Sequence, residues 1–430
     1  MDKAGQMDRR GFLRGAARAG AGVALFHIVP SWGQDRPAPS NRIVMGAIGV
    51  GGQGTGNMGQ FLGMPDVQFV GVCDVDSNNA ARAKKMIDER YGNQDCRAYG
   101  DYRELLARGD LDAVSMATPD HWHAVTAIAA ARAGCDMYGE KPLTHSLGEG
   151  RALVDAFNQY GRVWQTGSWQ RSTDNFYQGA LRVRNGRLGK VVRIEVGLPT
   201  GGKCGPVTYK DPPPNLNYDM WVGPSRYKPY CDKRTHWDWR WQLDFGGGQM
   251  MDWIGHHGDI AHWGMGWDNT GPVSIEGAGV YPDEGIWDAA MTYSFTATYA
   301  DGTEMIVANA HGDHRMGTKW IGENGHWIWV DRGNQDSYPK NLLTDPVSPS
   351  EIQLIRSNNH FRNFIDCVKT RQATITPAET AHRSASIGHL GQIAMLLGRK
   401  LKWDPAAETF AGDPTATRML NPALRAPWHL

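Results

Sequence analysis

Residues 42–54 read RIVMGAIGVGGQG, and this stretch decides the architecture of the first half of the chain. Arg42 to Gly49 is an apolar run suited to a strand buried on both faces. It enters Gly49-Val50-Gly51-Gly52-Gln53-Gly54, a G-x-G-x-x-G turn. Asn57 to Leu62 reads as helix, and a second apolar strand, Val67 to Cys73, ends in Asp74, 20 positions beyond Gly54. Strand, glycine turn, helix, strand and acid in this register form a dinucleotide fingerprint. The glycines let backbone approach a pyrophosphate at a helix N-terminus, where free N–H groups and the helix dipole favour anions. The acid accepts hydrogen bonds from ribose hydroxyls, so NAD is expected in preference to NADP.

The alternation continues downstream. Tyr102 to Leu106 reads as a short helix, Asp112 to Thr118 as a strand, and Asp120 as the cap of a helix running through Ala133 to a stop at Gly134. Cys135 to Tyr138 reads as a strand ending in Gly139-Glu140-Lys141-Pro142, Ser146 to Tyr160 as a helix, and Val163 to Thr166 as a strand. Such alternation predicts a parallel, doubly wound sheet, whose ligands sit outside the carboxyl ends of its strands. Gly49–Gly54, Asp74, Thr118-Pro119 and Glu140-Lys141-Pro142 all fall at such ends and are expected to share one crevice.

Lys plus Arg and Asp plus Glu are each 45 in 430 residues, a balance that argues against a nucleic-acid partner. Glycine (53) and tryptophan (17) are abundant, which suits tight turns and flat apolar ligand faces. Asp8-Arg9-Arg10-Gly11-Phe12-Leu13-Arg14 is a twin-arginine pattern followed by a weakly apolar stretch to Val29. It predicts an exported protein, periplasmic or secreted by the Tat pathway. Arg18 interrupts the apolar run, so no stable membrane anchor is expected. The six cysteines show no metal-ligand spacing; Cys73 and Cys135 read as core, and pairing of Cys204 with Cys231 is possible but not favoured. His121-x-His123 lacks a third ligand, so no metal site is expected.

The second half changes character. Lys190 to Leu198, Pro272 to Val280 and Gly325 to Val330 read as strands, and Ala289–Tyr299 and Thr303–Ala310 as a hairpin across Asp301-Gly302. Asn359 to Lys369 and Pro377 to Arg399 read as helices, and Lys203 to Trp239 as an irregular loop around a pocket mouth or at a subunit contact. Asp252 and His256 are four apart and share a helix face, with Asp259 near it. A carboxylate there would fix the imidazole tautomer and stabilise its charged form.

Four stretches, GVGGQGTG, DYRELLARGDLDAVSMATPDHWHA, GEKPLT and GGGQMMDWIGHHGDIAHW, resemble the Gfo/Idh/MocA oxidoreductases in content and order. The likeness runs from about Arg42 to Trp403. It implies residues 41–168 as an NAD(P)-binding Rossmann domain and 169–430 as a substrate and oligomerisation domain with an open, mostly antiparallel sheet, α/β overall, while the twin-arginine pattern sets residues 1–40 apart as signal and linker. By the same resemblance the protein would form a dimer or tetramer, and His123 would belong to the cofactor wall of a T-P-x-x-x-H motif.

The implied chemistry is hydride transfer from a sugar carbinol carbon to nicotinamide. His256 or Lys141 takes the hydroxyl proton, the other hydrogen-bonds the oxygen, and Asp252 orients the pair. Trp169, Gln170, Arg171, Arg240 and His257 are candidates for substrate contact, Trp237 and Trp239 for stacking faces or core packing, and His311, Asp313 and His314 for the pocket lining or the surface in preference to a site with His256. Export adds a constraint, because free NAD is scarce outside the cytoplasm. A cofactor loaded before export and retained would favour a redox-neutral reaction. One form oxidises one sugar and reduces another. A second is an NAD-dependent glycosidase using transient oxidation, elimination and re-reduction. Glu140-Lys141-Pro142 resembles the oxidoreductase branch more than the glycosidases. A non-catalytic binding protein is the third reading, against which Lys141 and His256 both stand.

Overall fold

The computed structural model describes residues 41–311 and 314–430. The twin-arginine stretch and Asp313 lie outside these described residues. Six parallel strands form the first sheet: β1 (Ile43–Ile48), β2 (Val67–Cys73), β3 (Arg97–Tyr99), β4 (Ala113–Met116), β5 (Asp136–Gly139) and β6 (Trp164–Thr166). Their spatial order is β3-β2-β1-β4-β5-β6, the doubly wound order with its reversal between β1 and β4. Helices α1 (Gly52–Leu62), α2 (Ser77–Tyr91), α3 (Tyr102–Leu106), α4 (His123–Arg132) and α5 (Leu147–Gln159) make the crossovers.

Local chemistry explains these boundaries. The Asp76 carboxylate accepts from Asn78 N and caps α2, while Ser146 and Glu149 form a reciprocal capping box on α5. Asp120 does not cap its helix as expected. It opens a 3-10 turn, Asp120–Trp122, and α4 begins only at His123.

The second sheet has nine strands: β7 (Val191–Leu198), β8 (Ser274–Val280), β9 (Thr292–Thr298), β10 (Glu304–Asn309), β11 (Gly317–Gly322), β12 (Trp327–Asp331), β13 (Asn334–Tyr338), β14 (Leu401–Asp404) and β15 (Thr409–Phe410). Their order is β13-β12-β11-β7-β10-β9-β8-β14-β15. The β7–β10 pair is parallel and every other pairing is antiparallel. One face carries α6 (Asp174–Arg184), α8 (Gly248–Met265) and α10 (Ala378–Leu397) over a core that includes Trp320, Phe295 and Ile254; α7 (Tyr218–Val222) lies in the irregular segment before α8. On β11–β13 the other face is polar and aromatic, with Lys319 over Trp327 and Arg315 over Trp329.

Two later segments clamp the sheets together. Helix α9 (His360–Thr370) packs Phe361 and Phe364 against Phe61 and Tyr138 of the first lobe. Its Arg362 and Lys369 both bind Asp66. Helix α10 packs on α5 as well as on the second sheet. Cys204 and Cys231 are both free thiols, and no described helix is long and apolar enough to cross a membrane.

Candidate active site

A crevice of about 560 Å³ opens at the carboxyl ends of β1, β2, β4 and β5. Its floor is the glycine turn. Gly49 has a left-handed φ of 73°, and a Cβ there would lie 2.8 Å from the Ala117 and Thr118 backbone. A Cβ on Gly54 would lie 1.8 Å from the Gly49 carbonyl oxygen, so this glycine seats α1 against the strand. Gly51 and Gly52 differ: a Cβ on Gly51 meets only Asn79 Nδ2 at 3.8 Å, and one on Gly52 meets nothing within 4 Å. The first turn of α1 has no side-chain cap and no acid, so its N–H groups are free for an anion. Thr118 Oγ1 and Thr126 Oγ1, on residues lining the same crevice, are buried without partners. These features fit a dinucleotide pyrophosphate and its nicotinamide end.

Asp74 lines the crevice, accepting from Val50 N and Asp76 N, each at 2.9 Å. Burial pushes its pKa up against these two N–H groups. Gln53 and Asn57 donate to Glu140 Oε1 at 3.2 and 2.9 Å, and Lys141 N donates to Oε2 at 3.3 Å. Glu140 thereby fixes the start of the segment that delivers Lys141. Pro119 lines the crevice beside Thr118. His123 does not line it. Its Nδ1 and Nε2 face the carbonyls of Pro142 and Thr118 at 2.8 and 3.0 Å, and burial pushes its pKa down to about 4. It braces two wall segments from behind, which corrects its expected place in the wall itself.

At the inner end, Lys141 Nζ donates to Asp252 Oδ1 at 2.8 Å and to the Asp252 carbonyl at 3.0 Å. Arg240 Nε stands 3.6 Å from the same Oδ1, its guanidinium 4.2 and 4.6 Å from the ring centres of Trp237 and Trp239. Burial opposes the charge on Asp252, but Lys141 and Arg240 outweigh it and hold its pKa below the usual carboxylate range. Asp120, wholly buried in the same wall, is pushed well above that range by burial and then by Asp252.

Asp252 therefore serves Lys141 and not His256, a correction to the helix-face expectation. His256 lies one turn further along α8, buried, with Nδ1 unpartnered. Burial, then Lys141 and Arg332, push its pKa well down, so the imidazole is neutral. His257 is no substrate contact: it is 0% exposed, stacked on Trp253, with its carbonyl taken by Thr318 Oγ1. Arg171 is also corrected. Its guanidinium is 2% exposed and saturated by Asp259 (2.7 and 2.8 Å) and Asp268 (2.7 and 3.2 Å). Gln170 is fully buried and bridges the His256 carbonyl and Arg332 Nε, whereas Trp169 is exposed. His311 and His314 pair through their backbones, and neither lines the crevice. Among the described residues no group of three His, Cys, Asp or Glu could hold a metal ion.

The irregular loop does more than rim the mouth. Ser77 N donates to Asn215 O and Asn217 N to Val75 O, both at 2.9 Å, and Asn215 Nδ2 reaches Asp76 Oδ1 at 2.8 Å. A small aromatic core of Tyr218, Trp221, Tyr230, Trp239 and Phe245 stiffens it. Leu216, Met220, Trp221, His236 and Trp237 face the crevice beside Asp74. The loop is thus a strap, pinned to the turn after β2. Sequence spacing also gave no sign of Arg332, which joins Trp169 and Trp253 beside Asp252.

Comparison with known proteins agrees with this geometry. Residues 43–168 match the Gfo/Idh/MocA oxidoreductase family model for an NAD-binding Rossmann fold, and 201–430 match the family's C-terminal alpha/beta domain. A glycosyl hydrolase family 109 protein of Saccharopolyspora erythraea is 32% identical over 165 residues, covering 34% of this chain and 36% of that protein. The alignment thus spans about a third of that relative. An uncharacterized oxidoreductase, YrbE of Bacillus subtilis, is 27% identical over 272 residues, 63% of this chain and 68% of its own length. Scyllo-inositol dehydrogenase of Lactobacillus casei, solved with NAD(H) and scyllo-inositol, shares the fold at 16% identity and a TM-score of 0.59, over 84% of this chain and 99% of that one.

Proposed function

Because the chain belongs to the Gfo/Idh/MocA oxidoreductase family, we propose that it is an exported sugar oxidoreductase working with a tightly bound nicotinamide cofactor, NAD rather than NADP. One observation carries this reading: the Lys141–Asp252 pair stands in the same crevice as an uncapped glycine turn and Asp74. A nicotinamide dinucleotide bound there would take hydride from a carbinol carbon and return it.

The chain's own residues do the rest. The amine of Lys141, aimed by Asp252, exchanges the proton of the substrate hydroxyl. Neutral His256 supplies a second hydrogen bond from the substrate side. Arg240 and the Trp237 and Trp239 rings close the end of the crevice over the sugar. The strap covers the nucleotide half, which supports a cofactor that stays bound between turnovers and an overall redox-neutral reaction. The twin-arginine stretch supports loading before export. A homo-oligomer assembled on the uncovered sheet face belongs to the same reading.

The likeness to a glycosyl hydrolase family 109 protein favours a second reading, glycoside cleavage by oxidation, elimination and re-reduction. Absorbance and mass spectrometry of the purified protein test for a retained nicotinamide cofactor. Candidate sugars are then assayed for its reduction at the NADH absorbance band. Aglycone release from aryl glycosides without net NADH selects the second reading. A protein that purifies without nicotinamide and binds none refutes both.

A further inference from the structure

We propose that the substrate is an acidic sugar, and that Arg332 receives its carboxylate. This deepens the sugar reading above and rests on it for the sugar part alone. Arg332 sits at the tip of the hairpin between β12 and β13. Its guanidinium lies 4.8 Å from the Trp169 ring centre and 4.3 Å from that of Trp253. Its Nε donates to Gln170 at 3.2 Å, and the other end of that amide donates to the His256 carbonyl at 3.1 Å. Two ring contacts and Nε are thereby used. Among the described residues neither Nη atom has an acceptor, and no carboxylate lies within salt-bridge distance.

That arrangement is unusual for a half-buried cation. Burial pushes its pKa down against the fields of Asp331 and Asp252, yet a guanidinium stays charged. Among the described residues none of the nearby carboxyls forms an ion pair with it. Asp252 already holds Lys141 and Arg240, Glu140 is taken by Gln53 and Asn57, and burial disfavours the charged form of Asp120. Arg171, by contrast, has two carboxylates to itself. Arg332 is oriented as if for an incoming acid. A planar carboxylate fits the two Nη donors in a parallel pair of charge-assisted bonds, a geometry that a neutral hydroxyl cannot reproduce. Trp169 is exposed and offers its ring to the sugar's C–H face beside that carboxylate. The same contact would place a negative charge near neutral His256 and ease its acceptance of a proton.

The test measures binding to the full-length, cofactor-loaded protein without requiring turnover. Glucuronate is paired with glucose and galacturonate with galactose, read by tryptophan fluorescence and calorimetry, with the hexose 6-phosphates as a third arm. At least one uronate is expected to bind about 100-fold tighter than its neutral partner, since bonds to a charged group are strong. The preference should vanish in Arg332→Gln, survive in part in Arg332→Lys, and shrink with added salt. A loss of both acid and neutral binding in Arg332→Gln would mean a structural prop and overturns the proposal. So does failure of any uronate to bind better than its neutral partner. Tighter binding of 6-phosphates than of uronates overturns the assignment to a carboxylate. Uronate binding without cofactor reduction upholds this proposal and overturns the oxidoreductase reading; oxidation of neutral sugars alone does the reverse.

Discussion

Two glycines three residues apart should fail in opposite ways. Gly51 has a negative φ of −67°, and its Cβ position holds only one ordinary contact, Asn79 Nδ2 at 3.8 Å. Gly51→Val is therefore expected to fold, with stability changed by less than about 1 kcal/mol. The valine methyls would occupy the approach to the α1 N-terminus. If a pyrophosphate loses two charge-assisted N–H bonds of about 1.5–3 kcal/mol each, affinity falls by about 3–6 kcal/mol, or roughly 10²- to 10⁴-fold. Gly54→Ala is the contrast. Its Cβ would lie 1.8 Å from the Gly49 carbonyl oxygen, which only a shift of strand or helix could relieve, so this variant is expected to lose the native fold. Chemical unfolding curves report the first property, and the molar ratio of nicotinamide nucleotide in the purified protein reports the second. Gly51→Val protein that retains a full complement of cofactor would refute the assignment of this turn as the pyrophosphate cradle.

Lys141→Met and Asp252→Asn should each lower turnover by about 10²- to 10⁴-fold while leaving the cofactor ratio unchanged, because proton transfer and not nucleotide binding is lost. Arg171→Met should cost about 3–5 kcal/mol of stability in urea, since Asp259 and Asp268 are left without their cation, and should leave substrate KM alone. Asp66 predicts an acid sensitivity: burial alone would raise its pKa, but Arg362 and Lys369 hold it down at about 2. A carboxyl more acidic in the folded state stabilises above its unfolded value and loses that contribution as pH falls. About 2 kcal/mol should therefore disappear between pH 5 and pH 2, and Asp66→Asn should flatten that slope in unfolding curves measured across the range.

The nucleotide half was legible because its constraints are local. Gly49 needs a left-handed turn, Gly54 needs close packing, and Asp74 ends the neighbouring strand; each leaves a mark within a few residues. Helix α2 was not legible, because only Ala80, Ala83 and Ile87 are buried on an otherwise polar surface. The site residues read from spacing fared according to distance. Asp252 and His256 do share a helix, but the partner of Asp252 comes 111 residues earlier, from the other lobe. Arg171 follows the last strand of the first sheet and looks poised for a ligand, yet Asp259 and Asp268 take it from 88 and 97 positions away. Arg332 is a charged residue in a hairpin tip, indistinguishable in sequence from a solvated turn. Only the fold puts two indoles around it.

The strap also sets an order of events during synthesis. The glycine turn and Asp74 precede residues 203–245 in the chain, so the groove is made before its cover. Asn215 and Asn217 then dock on the turn after β2 through backbone hydrogen bonds between the lobes. On the reading proposed above, loading would precede docking of the strap, and the compartment in which the chain is made would decide which nucleotide it carries.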